Sequence, residues 1–147
     1  MKITDAFLGE HGVFYAQFTH MEKTLPAEET LGPVSVQATL LAAALKTHAN
    51  LEEELLFVSL EPHIGSQGGP LAVMRAEHDE IENGLARLPQ LQDLAEARNL
   101  LLHVIQVARE HFAKEERILY PAAKQVLAED KLTELGAEWG RRRKVVI

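Results

Sequence analysis

The chain has 147 residues, 46% of them hydrophobic, and a net charge of −7. That length and apolar share fit one domain with a core large enough to fold unaided. With no cysteine, disulfides, thiolate zinc sites, iron–sulfur clusters and cysteine nucleophiles are excluded, and the acidic balance argues against nucleic acid as a partner, since phosphate binding needs a basic face.

The opening MKITDAFLGEHG has neither a basic n-region nor an apolar h-region, and no stretch approaches the roughly 20 apolar residues of a membrane span. The expectation is a cytoplasmic protein with no membrane attachment. The first apolar register, 7, 11, 14, 18, 21 and 25, reads Phe, His, Phe, Phe, Met, Leu. It ends at LPAEETLGP (25–33), a break. In the second, positions 41, 45, 48, 52 and 55 read Leu, Leu, His, Glu, Leu, before PHIGSQGGP (62–70). GSQGG there lacks a following Gly-Lys-Ser/Thr, so it reads as a flexible loop and not a phosphate cradle.

Pro70 suits a first helical position. The third register, 71, 74, 78, 81, 85 and 88, gives Leu, Met, His, Ile, Leu, Leu and stops at LPQLQD (88–93). Asp93 with Glu96 resembles a capping pair that opens the fourth. There, 94, 97, 101, 104, 108, 111, 115, 118 and 122 give Leu, Ala, Leu, Val, Ala, His, Glu, Ile, Ala. Pro121 predicts a kink or break. Residues 132–140 read as a short closing helix, and 141–147, containing RRRK, as a solvated basic tail.

No segment has the period-two pattern of a strand. The predicted fold is all-α: an up-and-down antiparallel four-helix bundle over residues 1–140, with a short C-terminal helix. Each inward stripe is interrupted by one histidine. In a symmetric antiparallel hairpin, residues at one level are equidistant from the turn. The midpoint of His11 and His48 falls between residues 29 and 30, that of His48 and His78 at 63, and that of His78 and His111 near 94. The first two lie in predicted loops, and the third lies just past one.

His48 with Glu52, and His111 with Glu115, are i, i+4 pairs on one helix side. Burying four imidazoles and two carboxylates uncompensated costs several kcal/mol per group, against a total stability of about 5 to 15 kcal/mol. Cations are the expected compensation. The candidate metal ligands are His11, His48, Glu52, His78, His111 and Glu115. Without sulfur they suit iron, manganese or zinc, and six are too many for one catalytic zinc. They suit two metals bridged by two carboxylates, with positions open for water or a small diatomic molecule. The competing reading of any one such histidine is a hydrogen-bonded core residue. Glu82, four after His78, is either a further ligand or a boundary residue. Glu116 rivals Glu115, while Glu53, Glu54 and Glu116 otherwise read as a solvated edge. Tyr15 and Tyr120 read as packing residues, with hydrogen bonding to the ligands as the alternative. His20, His63 and His103 lie off the stripes or in a loop.

EHG around His11, HANLEEELLF around His48, EHDEIE around His78 and HFAKEERILYP around His111 resemble the hemerythrin-like proteins, in particular the bacterial HHE cation-binding domains. The order His, His-x3-Glu, His, His-x3-Glu spans residues 11–115. The resemblance implies two non-haem iron ions, oxo- or hydroxo-bridged, that bind oxygen or a related small molecule. It makes the four histidines terminal ligands and Glu52 and Glu115 bridging carboxylates. Where HHE proteins often carry a second ligand-capable residue after the second-helix histidine, this chain has Ala49. Where oxygen carriers have a second histidine on the third helix, it has Glu82. Fewer neutral nitrogens favour the ferric state, which points away from reversible transport and toward sensing, iron handling or peroxide chemistry. Ferritin-like bundles match less well, because they pair Glu-x-x-His at i, i+3. Three functions are expected to compete: a diiron protein binding a small diatomic or peroxide ligand, a diiron enzyme decomposing peroxide or reducing oxygen, and a metal-free structural bundle.

Overall fold

Proline and glycine punctuate the chain where the rods turn. In the computed structural model, which describes residues 1–66 and 68–146, these rods are α1 (Ile3–Thr24), α2 (Leu31–Leu51), α3 (Val58–Ile64), α4 (Pro70–Arg87), α5 (Leu94–Lys114), α6 (Tyr120–Val126) and α7 (Glu129–Arg143). Gln67, in the loop expected at GSQGG, and Ile147, at the end of the expected tail, lie outside the described residues. No strand occurs among the described residues, and none of their helices is long and apolar enough to cross a membrane.

Glu52–Phe57 continues α2 into α3 as a π-helical stretch, and Glu115–Leu119 does the same between α5 and α6. The bundle therefore has four long rods, and α7 packs along α1. Antiparallel order is visible in side-chain reach. Arg98, near the start of α5, donates to the carbonyls of Pro26 and Glu28 at 3.1 and 3.0 Å, just past the end of α1. At the other end Lys124 of α6 lies 3.6 Å from Asp5 of α1.

Local expectations about caps hold. Pro70 opens α4, and the Asp93 side chain accepts from the Glu96 amide at 2.7 Å at the start of α5, satisfying one of the four amides a helix start leaves open. At Pro121 the rod does not break. The irregularity lies one turn earlier, in the widened turns of Glu115–Leu119, and α6 begins just ahead of the proline.

The closing helix is longer than the sequence suggests. It runs Glu129–Arg143, so Arg141, Arg142 and Arg143 belong to the helix and not to an irregular tail, although Arg141 and Arg142 remain exposed. Three cations in the last turn complement the helix dipole. They also have partners: Arg141 and Arg142 with Glu138, Arg142 with Glu54, and Arg143 with Glu10. Gly136 sets how closely α7 approaches. A Cβ there would lie 2.2 Å from the Met1 carbonyl oxygen and 3.1 Å from the Ile3 amide nitrogen. Although alanine is the better helix former, Gly136→Ala is expected to destabilise the fold by roughly 1 to 3 kcal/mol, seen as a melting temperature lower by several degrees.

Apolar side chains form two cores stacked along the bundle axis. One gathers Phe14, Phe18, Leu41, Leu45, Leu85, Leu101 and Val104. The other gathers Phe7, Leu56, Phe57, Leu60, Leu71, Leu119 and Leu135. Between them lies a layer of buried polar residues.

Candidate metal centre

Six side chains meet in that layer: His11 from α1, His48 from α2, Glu52 at the first residue of its π stretch, His78 from α4, His111 from α5 and Glu115 at the first residue of the other. These are the six the sequence singled out. Five are at most 1% exposed and His78 is 9% exposed. Both π stretches start at a glutamate of the cluster, in keeping with the frequent placement of such widened turns at functional sites.

The contacts divide the layer into two halves joined by the carboxylates. The His11 and His48 Nε2 atoms are 3.2 Å apart. Glu115 lies 3.3 Å from His11 Nε2 through one oxygen and 3.2 Å from His111 Nε2 through the other. Glu52 Oε2 is 3.3 Å from His48 Nε2 and 3.5 Å from His78 Nε2. Each glutamate thus touches one imidazole of each half. His11, His48, Glu52 and Glu115 each offer a ligand atom within 4.8 Å of the others, and so do Glu52, His78, His111 and Glu115.

A second set of glutamates orients the imidazoles. Glu10 on α1 accepts from His48 Nδ1 at 2.6 Å, and Glu53 beyond α2 accepts from His78 Nδ1 at 2.8 Å. Glu77 on α4 accepts from His111 Nδ1 at 2.9 Å, and Glu116 beyond α5 accepts from His11 Nδ1 at 2.9 Å. Each rod passes a carboxylate to the histidine of the next, and the fourth returns to the first. With each Nδ1 bonded outward to a carboxylate, every Nε2 faces the centre, where the Nδ1–H tautomer would turn its lone pair to a metal.

Further contacts hold this ring. Glu10 also accepts from Trp139 Nε1 at 3.0 Å and Arg143 Nε at 2.7 Å, both on α7. Lys114 bonds Glu77, and Tyr15 donates to Glu116 at 3.0 Å. Tyr120 donates to Glu52 Oε1 at 2.6 Å, leaving Oε2 free. Tyr120 therefore hydrogen-bonds to a carboxylate of the cluster and Tyr15 to one of the orienting glutamates, and both also pack. Phe112 stacks on the His11 ring at 3.9 Å between centroids.

The electrostatics follow from this crowding. Burial by itself would depress His78, but the Glu52 carboxylate 3.5 Å from its Nε2 and the Glu53 carboxylate bonded to its Nδ1 outweigh burial and push it up to about 10. His11 and His111 are raised in the same way, burial being overcome by Glu115. Burial would raise Glu52, yet the surrounding imidazoles hold it well below the usual carboxylate range. Burial, then the bond to Glu116, pushes the Tyr15 hydroxyl up to about 12.

Glu82 is not in the cluster. It is half exposed and pairs with Lys46 at 2.5 Å, as a residue at the boundary of the bundle would. Glu116 takes a supporting place instead of rivalling Glu115, and Glu53 orients His78 instead of lining a solvated edge. Sequence reasoning missed Glu10 and Glu77. Their signal was adjacency, since each directly precedes a clustered histidine, in EHG and EHDE.

Among the described residues, seven buried side-chain polar atoms lack a hydrogen-bond partner. Five belong here: Glu52 Oε2, His78 Nε2, His111 Nε2 and both oxygens of Glu115. Unpaired buried acceptors are costly, and these converge on shared points, so the donor set fits a cation. Sequence comparison adds the deciding observation: the family described as Hemerythrin HHE cation binding domain matches residues 2–133. The chain belongs to the hemerythrin HHE cation-binding family. Its curated relatives include the iron-sulfur cluster repair protein YtfE of Escherichia coli O81 (strain ED1a), 32% identical over an alignment of 97 residues that covers 58% of this chain and 44% of that protein. YtfE of Escherichia fergusonii is 31% identical over the same lengths. This HHE chain therefore aligns with less than half the length of those relatives. No solved structure gives a significant match.

Proposed function

We propose that this HHE domain holds two non-haem irons and uses them to bind a small diatomic or peroxide ligand, in sensing or in oxygen and iron handling. His11 and His48 would hold one iron, His78 and His111 the other, with Glu52 and Glu115 shared between them. The observation that carries this reading is the convergence of unpartnered, fully buried carboxylate oxygens on two overlapping clusters. Bound iron would supply Lewis acidity and one-electron redox exchange at a position the protein leaves open. The chain's residues set the conditions. Glu10, Glu53, Glu77 and Glu116 fix the imidazole tautomers and make them stronger donors, which favours the ferric state. Tyr120 holds Glu52 by one oxygen, while the two cores exclude water above and below.

The role for which the YtfE relatives are named, iron–sulfur cluster repair, agrees with iron handling as the branch of this reading. Elemental analysis of protein purified from iron-supplied cells tests it. Two irons per chain are expected, with near-ultraviolet charge-transfer absorption that responds to azide or nitric oxide. Metal-free protein after iron loading would leave a structural bundle. Peroxide decomposition that collapses in the Glu52→Ala and Glu115→Ala variants would identify the enzyme reading instead.

The orienting carboxylates can be separated from bystanders. Glu10→Ala is expected to weaken iron affinity about 10- to 100-fold, measured by competition with a chelator. Glu82→Ala, by contrast, is expected to leave it unchanged, because that side chain faces solvent.

A further inference from the structure

Between α2 and α4 the surface opens into a cleft of about 430 Å³. Ala42, Leu45, Ala49, Ile81, Leu85 and Phe112 contribute apolar lining, and the inner end reaches His48, His78 and His111. A water-sized ligand needs roughly 30 Å³, so a diatomic molecule would leave most of this space unfilled. The volume falls instead within the roughly 300 to 1,000 Å³ of sites that enclose organic molecules.

The space exists because alanine occupies positions 42, 43, 49 and 86, where helices side by side usually interdigitate larger side chains. Its outline follows the seam between the helices. The lining runs from Thr39 to Glu53 along one rod, about 21 Å at 1.5 Å per residue, so the cleft is much longer than it is wide. Outside the histidines of its inner end, the charged lining is Glu53, Asp79 and Glu82 against Lys46, and Lys46 is already paired with Glu82. That surplus of carboxylate opposes an anionic group lying along the slot outside the histidine end. At the inner end the Nε2 atoms of His78 and His111 are buried and without a hydrogen-bond partner.

We propose that the α2–α4 cleft binds a neutral, unbranched aliphatic molecule with one terminal oxygen function, an alcohol or alkyl hydroperoxide. The chain lies along the helix seam and the oxygen at the His78 and His111 end. The oxygen end rests on the iron reading above, whereas the chain-length preference rests on the cleft alone.

The test is calorimetric titration of iron-loaded protein with 1-butanol, 1-hexanol, 1-octanol and 1-decanol. Kd is expected to fall about fourfold per added methylene, until the slot is full and the trend levels off. Ala42→Phe, partway along the slot and off the ligand-bearing turn, is expected to weaken 1-octanol at least tenfold with iron content unchanged. Ala49→Phe blocks the slot nearer its inner end and is expected to weaken octanol similarly. Helical circular dichroism and melting temperature establish that each variant folds.

A flat chain-length series would overturn the proposal, as would octanol affinity untouched by both substitutions or decanoate binding more tightly than decanol. So would concentration-dependent self-association abolished by Ala42→Phe, which would assign the cleft to a second copy of the chain. Full iron loading with a flat series removes the cleft ligand alone. A chain-length series that persists in protein unable to retain iron removes the iron reading and leaves the cleft.

Discussion

Replacing Glu115 by alanine is expected, on the two-iron proposal, to reduce iron from two atoms per chain to less than one and to abolish the azide-responsive absorption. Glu115 is fully buried, both its oxygens lack hydrogen-bond partners, and it reaches an imidazole in each half of the layer. Alanine therefore removes a donor from both clusters at once and takes away negative charge that offsets the bound cations. Glu52→Ala is expected to behave similarly. Its loss also leaves the buried Tyr120 hydroxyl without the carboxylate it donates to, adding a stability cost of about 1 to 3 kcal/mol. Glu116→Ala is the contrasting substitution: it removes the acceptor of His11 Nδ1 and Tyr15 but leaves both clusters their donors. Iron content by elemental analysis separates these outcomes, and two firmly held irons in Glu115→Ala would refute the shared-carboxylate arrangement.

Stripping the iron with a chelator is expected to make stability fall as pH rises, with melting temperature dropping by on the order of 10 °C between about pH 6.5 and pH 10. Histidine in an unfolded chain titrates near 6.5, whereas His78 is pushed up to about 10, and His11 and His111 are also raised. A folded-state value above the unfolded one gives stability that is fully present below the unfolded value. It is lost as pH climbs through the folded value. The carboxylates act at the other extreme: Glu10, Glu52, Glu53 and Glu77 lie below their ordinary range, so their contribution is lost under acid. Iron-loaded protein is expected to lack the alkaline decline, because the Nε2 positions are then occupied by metal instead of protons. Scanning calorimetry of both forms from pH 5 to 10 measures the difference.

The rods and their histidines were legible in the sequence because both signals are local. Proline and glycine mark the turns, and a polar residue in an apolar stripe shows at fixed spacing. The midpoint argument extended this to depth, and even its weakest pair, His78 and His111, has ring centroids 4.6 Å apart. The orienting glutamates were not legible. A residue beside a ligand lies about 100° around the helix, and whether that direction meets solvent or the next rod depends on how the bundle is wound. Glu53 and Glu116 looked like surface for this reason, and Glu10 and Glu77 drew no attention. Glu82 had suitable spacing from His78, but Lys46 across the seam from α2 holds it outward. The last turns of α7 were hidden too, since RRRK gives no hint that Glu10, Glu54 and Glu138 stand ready to receive it.

No rod supplies the carboxylate that holds its own imidazole through Nδ1. Each depends on the neighbour before it and steadies the neighbour after it, in a circuit without a first member. A fragment lacking any one segment would leave one ring free to swivel and another carboxylate with nothing to hold, so competence cannot accumulate piecemeal. It arrives only at closure, and a chain still folding should have little means of trapping a cation in a half-built cage.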